Sequence, residues 1–263
     1  MLSWNIWWRF GPWEARQPAI LSTLRRVDAD ILCLQEVWET RADGNQAARL
    51  ADALGMHHVY ASGLHLDSFE ESLGNAVLSR WPITDTESRP LPAPPDLNEL
   101  RVVLRAEIDG PRGPLEVFTT HLNWRMDQSH VRQEQVRAVC AFVAETRKRR
   151  ERPPIVCGDF NAEPESDEIR MMTGLTTLAV PKLVFFDAWR SGGDGGPGWT
   201  WSRDNPFTVL DPDPDRRIDY VFSGYPDDED GAGQVVQARV EGCEPVDGLY
   251  ASDHYAVYAE LRY

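Results

Sequence analysis

Two short apolar runs and one short strand-like stretch in this chain each deliver a polar residue near their end. Ile155, Val156 and Cys157 run through Gly158 to Asp159, Phe160 and Asn161. Ile31, Leu32, Cys33 and Leu34 lead to Gln35 and Glu36, and residues 2–6 deliver Asn5 near their end. The runs at 31–34 and 155–157, without polar alternation, mark strands buried on both faces, and residues 2–6 read as a short strand. A polar group at the end of such a strand belongs where α/β proteins place their chemistry, at the carboxyl edge of a sheet. Gly158 interrupts the side-chain packing and lets backbone approach closely. In an extended backbone Asp159 and Asn161, two apart, would point to the same side.

The stretches 2–6 and 31–36 are joined by residues 18–27, whose apolar residues recur at helical spacing until Asp28-Ala29-Asp30. Residues 2–36 therefore read as a strand–helix–strand unit with Asn5 and Glu36 on one sheet edge. Further along, helices are expected over 45–54, closed by Gly55, over 129–148 and over 165–172. Strands are expected over 59–61, 74–80, 101–108, 115–120, 217–222, 235–240 and 255–261. Pro90, Pro92, Pro94 and Pro95 make residues 86–100 a loop. The Gly-rich residues 192–198 and the Asp-Pro repeat of 211–215 are loops as well. Arg147-Lys148-Arg149-Arg150 reads as a solvated helix end favoured by the macrodipole. No repeat or change of composition divides the 263 residues, so residues 1–263 are expected to form one domain.

The polar groups at the edges of apolar runs are Asn5, Glu36, His121, Asp159, Asn161, Asp219, Asp253 and His254. A soluble core has no need of them, whereas hydrolysis of a phosphate ester does. Carboxylates with an amide oxygen suit a hard cation such as Mg²⁺ or Mn²⁺. Such an ion polarises a phosphoryl oxygen. A carboxylate or imidazole takes a proton from water. A carboxylate behind a histidine fixes its tautomer. Asp219 has a competing role as ion-pair partner of Arg216 or Arg217. His57, His58, His65 and His130 carry no motif.

In order along the chain stand Trp4-Asn5-Ile6, Leu34-Gln35-Glu36, Gly74-Asn75-Ala76-Val77-Leu78-Ser79-Arg80, Thr120-His121-Leu122, Gly158-Asp159-Phe160-Asn161, Arg217-Ile218-Asp219-Tyr220 and Ser252-Asp253-His254. In this order the chain resembles the endonuclease/exonuclease/phosphatase superfamily, the fold of DNase I. The resemblance implies a four-layer α/β/β/α sandwich, two mixed β-sheets packed face to face with helices outside. It implies a metal-dependent phosphoesterase in which Glu36 is the principal Mg²⁺ or Mn²⁺ ligand, with Asn5 and Asp253 close to the metal or its waters. Asp159 would orient or deprotonate water, Asn161 would donate to the phosphate, His254 paired with Asp219 would contact the scissile phosphate, and His121 would be a second donor. The base stays open between Asp159 and His254. Asn75 is expected to line the cleft. Trp8, Trp124 and Trp201 stand beside motif loops where they could stack on substrate.

Charge narrows the substrate. The formal net charge is −15 and the only lysines are Lys148 and Lys182, while proteins that grip duplex DNA draw their affinity from neutralised phosphates. A phosphate mono- or diester of a small molecule or lipid headgroup is the expected substrate. A nuclease acting on single-stranded or terminal DNA or RNA is the alternative, and a non-catalytic binding module ranks last. Duplex DNA is not expected as the preferred substrate. The cysteines Cys33, Cys140, Cys157 and Cys243 form no paired motif, which fits a reducing compartment. With no apolar run of membrane-spanning length and no signal-peptide pattern, a cytoplasmic, monomeric enzyme is expected.

Overall fold

A computed structural model describes residues 1–66, 71–94, 97, 99–146, 152–227 and 229–263. The basic run at 147–150 lies outside the described residues. The strands are β1 (Leu2–Asn5), β2 (Ile31–Thr40), β3 (Gly44–Asn45), β4 (His57–Leu66), β5 (Glu71–Ser79), β6 (Ile83–Pro90), β7 (Val102–Gly110), β8 (Gly113–His121), β9 (Ile155–Asp159), β10 (Phe185–Asp187), β11 (Asp219–Gly224), β12 (Val235–Glu241) and β13 (Ala256–Leu261). The helices are α1 (Trp13–Val27), α2 (Gln46–Leu54), α3 (Ser129–Thr146), α4 (Asp167–Thr173) and α5 (Ala188–Gly192).

The strands form two mixed sheets. One has the order β12-β13-β1-β2-β5-β4 with β3 added to β2, and the other β10-β11-β9-β8-β7-β6. Each contains one parallel pair, β1 with β2 and β8 with β9, and the crossovers are α1 and α3. Alternation within the apolar runs explains the layers. Ile31 and Cys33 of β2 meet Ile155 and Cys157 of β9 between the sheets. Leu32 and Leu34 turn the other way, onto Ile20 and Leu24 of α1 and Leu50 of α2. Val156 and Phe118 face Val136 and Val139 of α3 and Met172 of α4. The result is the expected α/β/β/α sandwich. Each fully buried leucine or valine contributes about 2 kcal/mol.

Several boundaries differ from expectation. Residues 86–90 are strand, because β6 lies at the edge of its sheet and Pro90 is its last residue. A proline there removes no ladder bond from a central strand. Helix α1 begins at Trp13, ahead of Pro18. Pro18 removes one helical hydrogen bond, but the turn before it is anchored by the buried Arg16. Strand β2 does not stop at Glu36 and runs on to Thr40 through a bulge. Asn161 is not extended; its φ is +49°. Gly158 behaves as expected: a Cβ there would lie 1.9 Å from the Thr120 carbonyl oxygen on β8, at φ +143°, so only glycine fits.

Candidate active site

Strand register brings the polar groups together. Asp159 at the end of β9 pairs with His121 at the end of β8 and with Asp219 at the start of β11. On the facing sheet, Asn5 at the end of β1 is in register with Gln35. Residues 35 and 36 of β2 then bulge between the pairs Leu34 with Ala76 and Val37 with Gly74. The bulge re-aims the chain, and Glu36 adopts φ +55°, a conformation non-glycine residues keep only when surroundings impose it. It directs the Glu36 side chain into a cleft of about 570 Å³ that Asp159, Asn161, His121, Asp253 and His254 also line.

Asn5 bridges the sheets: its Nδ2 donates to Glu36 Oε1 at 3.2 Å and Asp159 Oδ2 at 3.0 Å. Its Oδ1 accepts from the Trp7 N–H at 3.0 Å. Asn161 folds back in a tight turn, with its backbone N–H donating to Asp159 Oδ1 at 2.9 Å and its Nδ2 to Leu122 O at 3.1 Å. The two residues thus share the cleft through a side-chain turn rather than through strand alternation.

His254 lies between two carboxylates. Its Nδ1 is 2.9 Å from Asp219 Oδ2 and its Nε2 is 3.7 Å from Asp159 Oδ2. Ser252 Oγ accepts the His254 N–H and donates to Asn5 O, tying this loop to β1. Asp219 is held by its backbone N–H on Thr200 Oγ1. The alternative partners are occupied elsewhere, Arg217 with Asp187 and Arg216 with Asp213. His121 Nε2 is 3.4 Å from Asp159 Oδ2, while its Nδ1 is 2.8 Å from Arg101 Nη1.

These contacts polarise the centre. Burial opposes charge on His254, but Asp219 and Asp159 outweigh it and raise its pKa to about 10. Burial and the Arg101 guanidinium push His121 well below its ordinary value. Burial alone would raise Asp159, yet the two imidazoles and the N–H groups of Asn5 and Asn161 lower it. Burial raises Asp219 against the pull of His254. Burial also raises Glu36, against the hydrogen bond from Asn5. Asp253 rises to about 7, through burial and the charge of Glu36, with His254 opposing.

A cation would fit the Glu36 side of this cluster. Glu36 Oε2 is enclosed and has no hydrogen-bond partner. Asp159, Asp219 and His254 bring potential ligand atoms within 4.8 Å of one another, but Asp219 and His254 are bonded to each other there. The carboxylates of Glu36 and Asp253 are the freer oxygen donors, a hard set that suits Mg²⁺ or Mn²⁺.

Asn75 is placed elsewhere than expected. It is buried opposite the β2 bulge, and its Nδ2 donates to Val102 O on the other sheet. Trp201 and Trp124 do line the cleft, and Trp201 packs edge-on against His254 at 5.0 Å. Trp8 is outside the lining and donates to Ser72 O. The sequence did not single out Arg101, Thr200, Trp7 or Phe10 as site residues. Arg16 also went unnoticed, although there was a signal for it. It occupies the stripe 16, 19, 20, 23, 24, 27 that α1 buries, and a charged residue in an apolar stripe calls for partners. It finds backbone carbonyls, donating to Ile6, Trp7, Phe10 and Ala251. Burial lowers its pKa to about 10.

The chain is similar to several known proteins. YbhP of Escherichia coli (strain K12) is 35% identical over 162 residues, covering 55% of this chain and 58% of that protein. Protein angel of Drosophila melanogaster is 27% identical over 223 residues, covering 77% of this chain and 58% of its own length. The chain thus spans a little over half the length of these curated relatives. A crystal structure of an endonuclease/exonuclease/phosphatase from Beutenbergia cavernae superposes with TM-score 0.74 at 27% identity, over 99% of this chain and 70% of that one. D. rerio TDP2 complexed with a single-strand DNA product has the same fold, with TM-score 0.76 at 20% identity over 100% of this chain and 98% of that one. The sequence profile of the Endonuclease/Exonuclease/phosphatase family matches residues 2–254, from the first strand to the histidine of the cleft, and the chain belongs to that family.

Proposed function

We propose that the cleft hydrolyses phosphate esters, with a divalent cation held by Glu36 and Asp253 and with water attacking phosphorus. One observation carries this reading: Glu36 Oε2 is enclosed without a partner in a centre that also contains Asp159, Asp219 and Asp253. Buried carboxylates without partners are costly, and a dication would relieve them. When bound, Mg²⁺ or Mn²⁺ supplies Lewis-acid polarisation of a phosphoryl oxygen.

The chain's own residues supply the rest. Asp159, kept ionised by its neighbours, orients the water and accepts its proton. His254, protonated at neutral pH and fixed by Asp219, donates from Nε2 to the phosphate oxygens as negative charge builds. His121 is neutral. With Arg101 donating to its Nδ1, its proton resides on Nε2, facing the same place. Asn161 locks Asp159 and has a second amide hydrogen for the phosphate. Asn5 holds Glu36 and Asp159 at their spacing. Charge on the cleft walls favours a small molecule or headgroup as substrate, and Trp124, exposed at the cleft, keeps single-stranded nucleic acid ends as the second reading.

Hydrolysis of bis-p-nitrophenyl phosphate should require Mg²⁺ or Mn²⁺, stop in EDTA and return when the metal is restored. Undiminished turnover in EDTA would remove the metal from the reading.

A further inference from the structure

The walls of the cleft are charged unlike those of a polyanion-binding site. Beyond the catalytic carboxylates they carry Glu99, Asp211 and Asp213. Among the described residues that line the cleft, the guanidinium groups are those of Arg101 and Arg216, and each is already paired. Arg101 Nη2 is on Glu99 and Arg216 Nη2 is 2.7 Å from Asp213. Arg125 stands outside the lining, with its guanidinium over the Trp124 ring at 5.4 Å. A second phosphate entering the cleft would therefore meet carboxylates and no unpaired guanidinium on its walls.

What the walls do offer is aromatic surface. Trp124 is 55% exposed and Phe10 46%, and Trp7 lines the cleft beside them. The part of this wall that precedes α1 is held in place. Trp7 and Trp8 have φ of +57° and +28°, conformations that are strained for bulky side chains. The fully buried Arg16 holds them by donating to the Ile6, Trp7 and Phe10 carbonyls, and its guanidinium also lies over the Trp7 ring at 4.6 Å. Where the surface is fixed in advance, at Trp7 and Phe10, little entropy is lost on binding a planar or apolar group.

Resting on the hydrolase reading above, we propose that this cleft takes esters bearing a single phosphate joined to an apolar or planar group, and rejects ligands bearing several phosphates. The same chemistry is met in a soluble aryl or alkyl phosphate and in a phospholipid headgroup.

The test compares kcat/KM with Mn²⁺ for bis-p-nitrophenyl phosphate, for phosphatidylcholine vesicles and for a 5′-phosphorylated thymidine trinucleotide, at low and high ionic strength. At least one single-phosphate substrate should exceed the trinucleotide by more than about tenfold. Turnover of the vesicles would identify a lipid headgroup as the source, and turnover of the soluble ester alone a free one. Activity on the trinucleotide should rise with salt, because screening weakens repulsion; a phosphate-binding cleft shows the opposite slope. The double variant Asp211→Asn with Asp213→Asn should raise the trinucleotide-to-ester ratio about tenfold. Preference for the trinucleotide, with rates that fall in salt and fall again in Arg125→Ala, would overturn the proposal. If the protein hydrolyses none of these substrates, the hydrolase reading fails on its own. Tryptophan fluorescence titrations of metal-free protein then decide the charge preference: tighter binding of phenyl phosphate upholds it and tighter binding of the trinucleotide overturns it.

Discussion

Glu168 and Glu36 make opposite use of burial. Glu168, in α4, is fully buried and both its oxygens are satisfied: Arg132 Nε donates to Oε1 at 2.7 Å and Ser129 Oγ to Oε2 at 2.8 Å. The contact ties α4 to the start of α3, and Glu168 is not part of the cleft lining. Glu36 keeps 15% of its side chain exposed at the cleft. It has one hydrogen bond, from Asn5 to Oε1, and an enclosed Oε2 with none. A carboxylate with both oxygens answered holds elements together. One left open is destabilising unless a ligand answers it.

Paired substitutions give the largest expected contrast. Glu36→Gln should lower turnover of bis-p-nitrophenyl phosphate by roughly a thousandfold, while urea unfolding of the metal-free protein shifts by less than about 1 kcal/mol, because the amide removes an unanswered charge. Glu168→Ala should do the reverse. It strands the Arg132 guanidinium and costs about 3–5 kcal/mol of stability, with kcat of the folded fraction near wild type. If Glu36→Gln unfolds as readily as Glu168→Ala, the distinction between an open and a closed carboxylate is wrong.

How well each region could be foreseen follows from the same contrast. The strands were legible because Ile31 to Leu34 and Ile155 to Cys157 must be buried on both faces whatever surrounds them. The polar groups Asn5, Glu36, His121, Asp159, Asp219 and His254 were legible because each interrupts or ends such a run. The bulge at Glu36 was hidden, since it depends on Asn75 of another strand facing two residues of β2. Arg101 was hidden for a similar reason: nothing local distinguishes it, and its role exists only once β7 lies beside β8. Asn75 misled because its neighbours matched a familiar run, while its amide is occupied between the sheets with Val102. Glu168 carried no local signal, because its partner Arg132 is 36 positions away.

A smaller effect probes the carboxylate behind His254. Asp219 Oδ2 holds Nδ1 at 2.9 Å, and with Asp159 it raises His254 to about 10. The raised value keeps the imidazole protonated as pH climbs, and the donor is lost as pH passes the folded pKa. Asp219→Asn removes a charge that favours the proton, so the pKa falls. The alkaline limb of the pH–rate profile should move to lower pH, and kcat at neutral pH should drop about a hundredfold. A limb that stays in place would mean that His254 is not the titrating donor.

The smallest expected effect concerns Arg101, a residue of the cleft lining whose side chain also bonds His121. Its Nη1 lies 2.8 Å from Nδ1. Since a guanidinium can only donate, Nδ1 must accept and the ring proton must be on Nε2. Arg101→Met leaves the ring free to exchange tautomers, and those with the proton on Nδ1 present a lone pair to the phosphate instead of a hydrogen. Kcat should fall about tenfold with KM little changed, the pattern of a group that orients a neighbour. Nitrogen-15 shifts of the His121 ring should move from a single Nε2–H form toward a mixture, a change that loosened packing alone would not produce. Arg101→Lys, which restores a donor on a flexible stem, should recover part of the rate. If the ring keeps one tautomer in Arg101→Met, then Asp159 and the fold around β8 hold His121 without help, and Arg101 is only the counter-ion of Glu99.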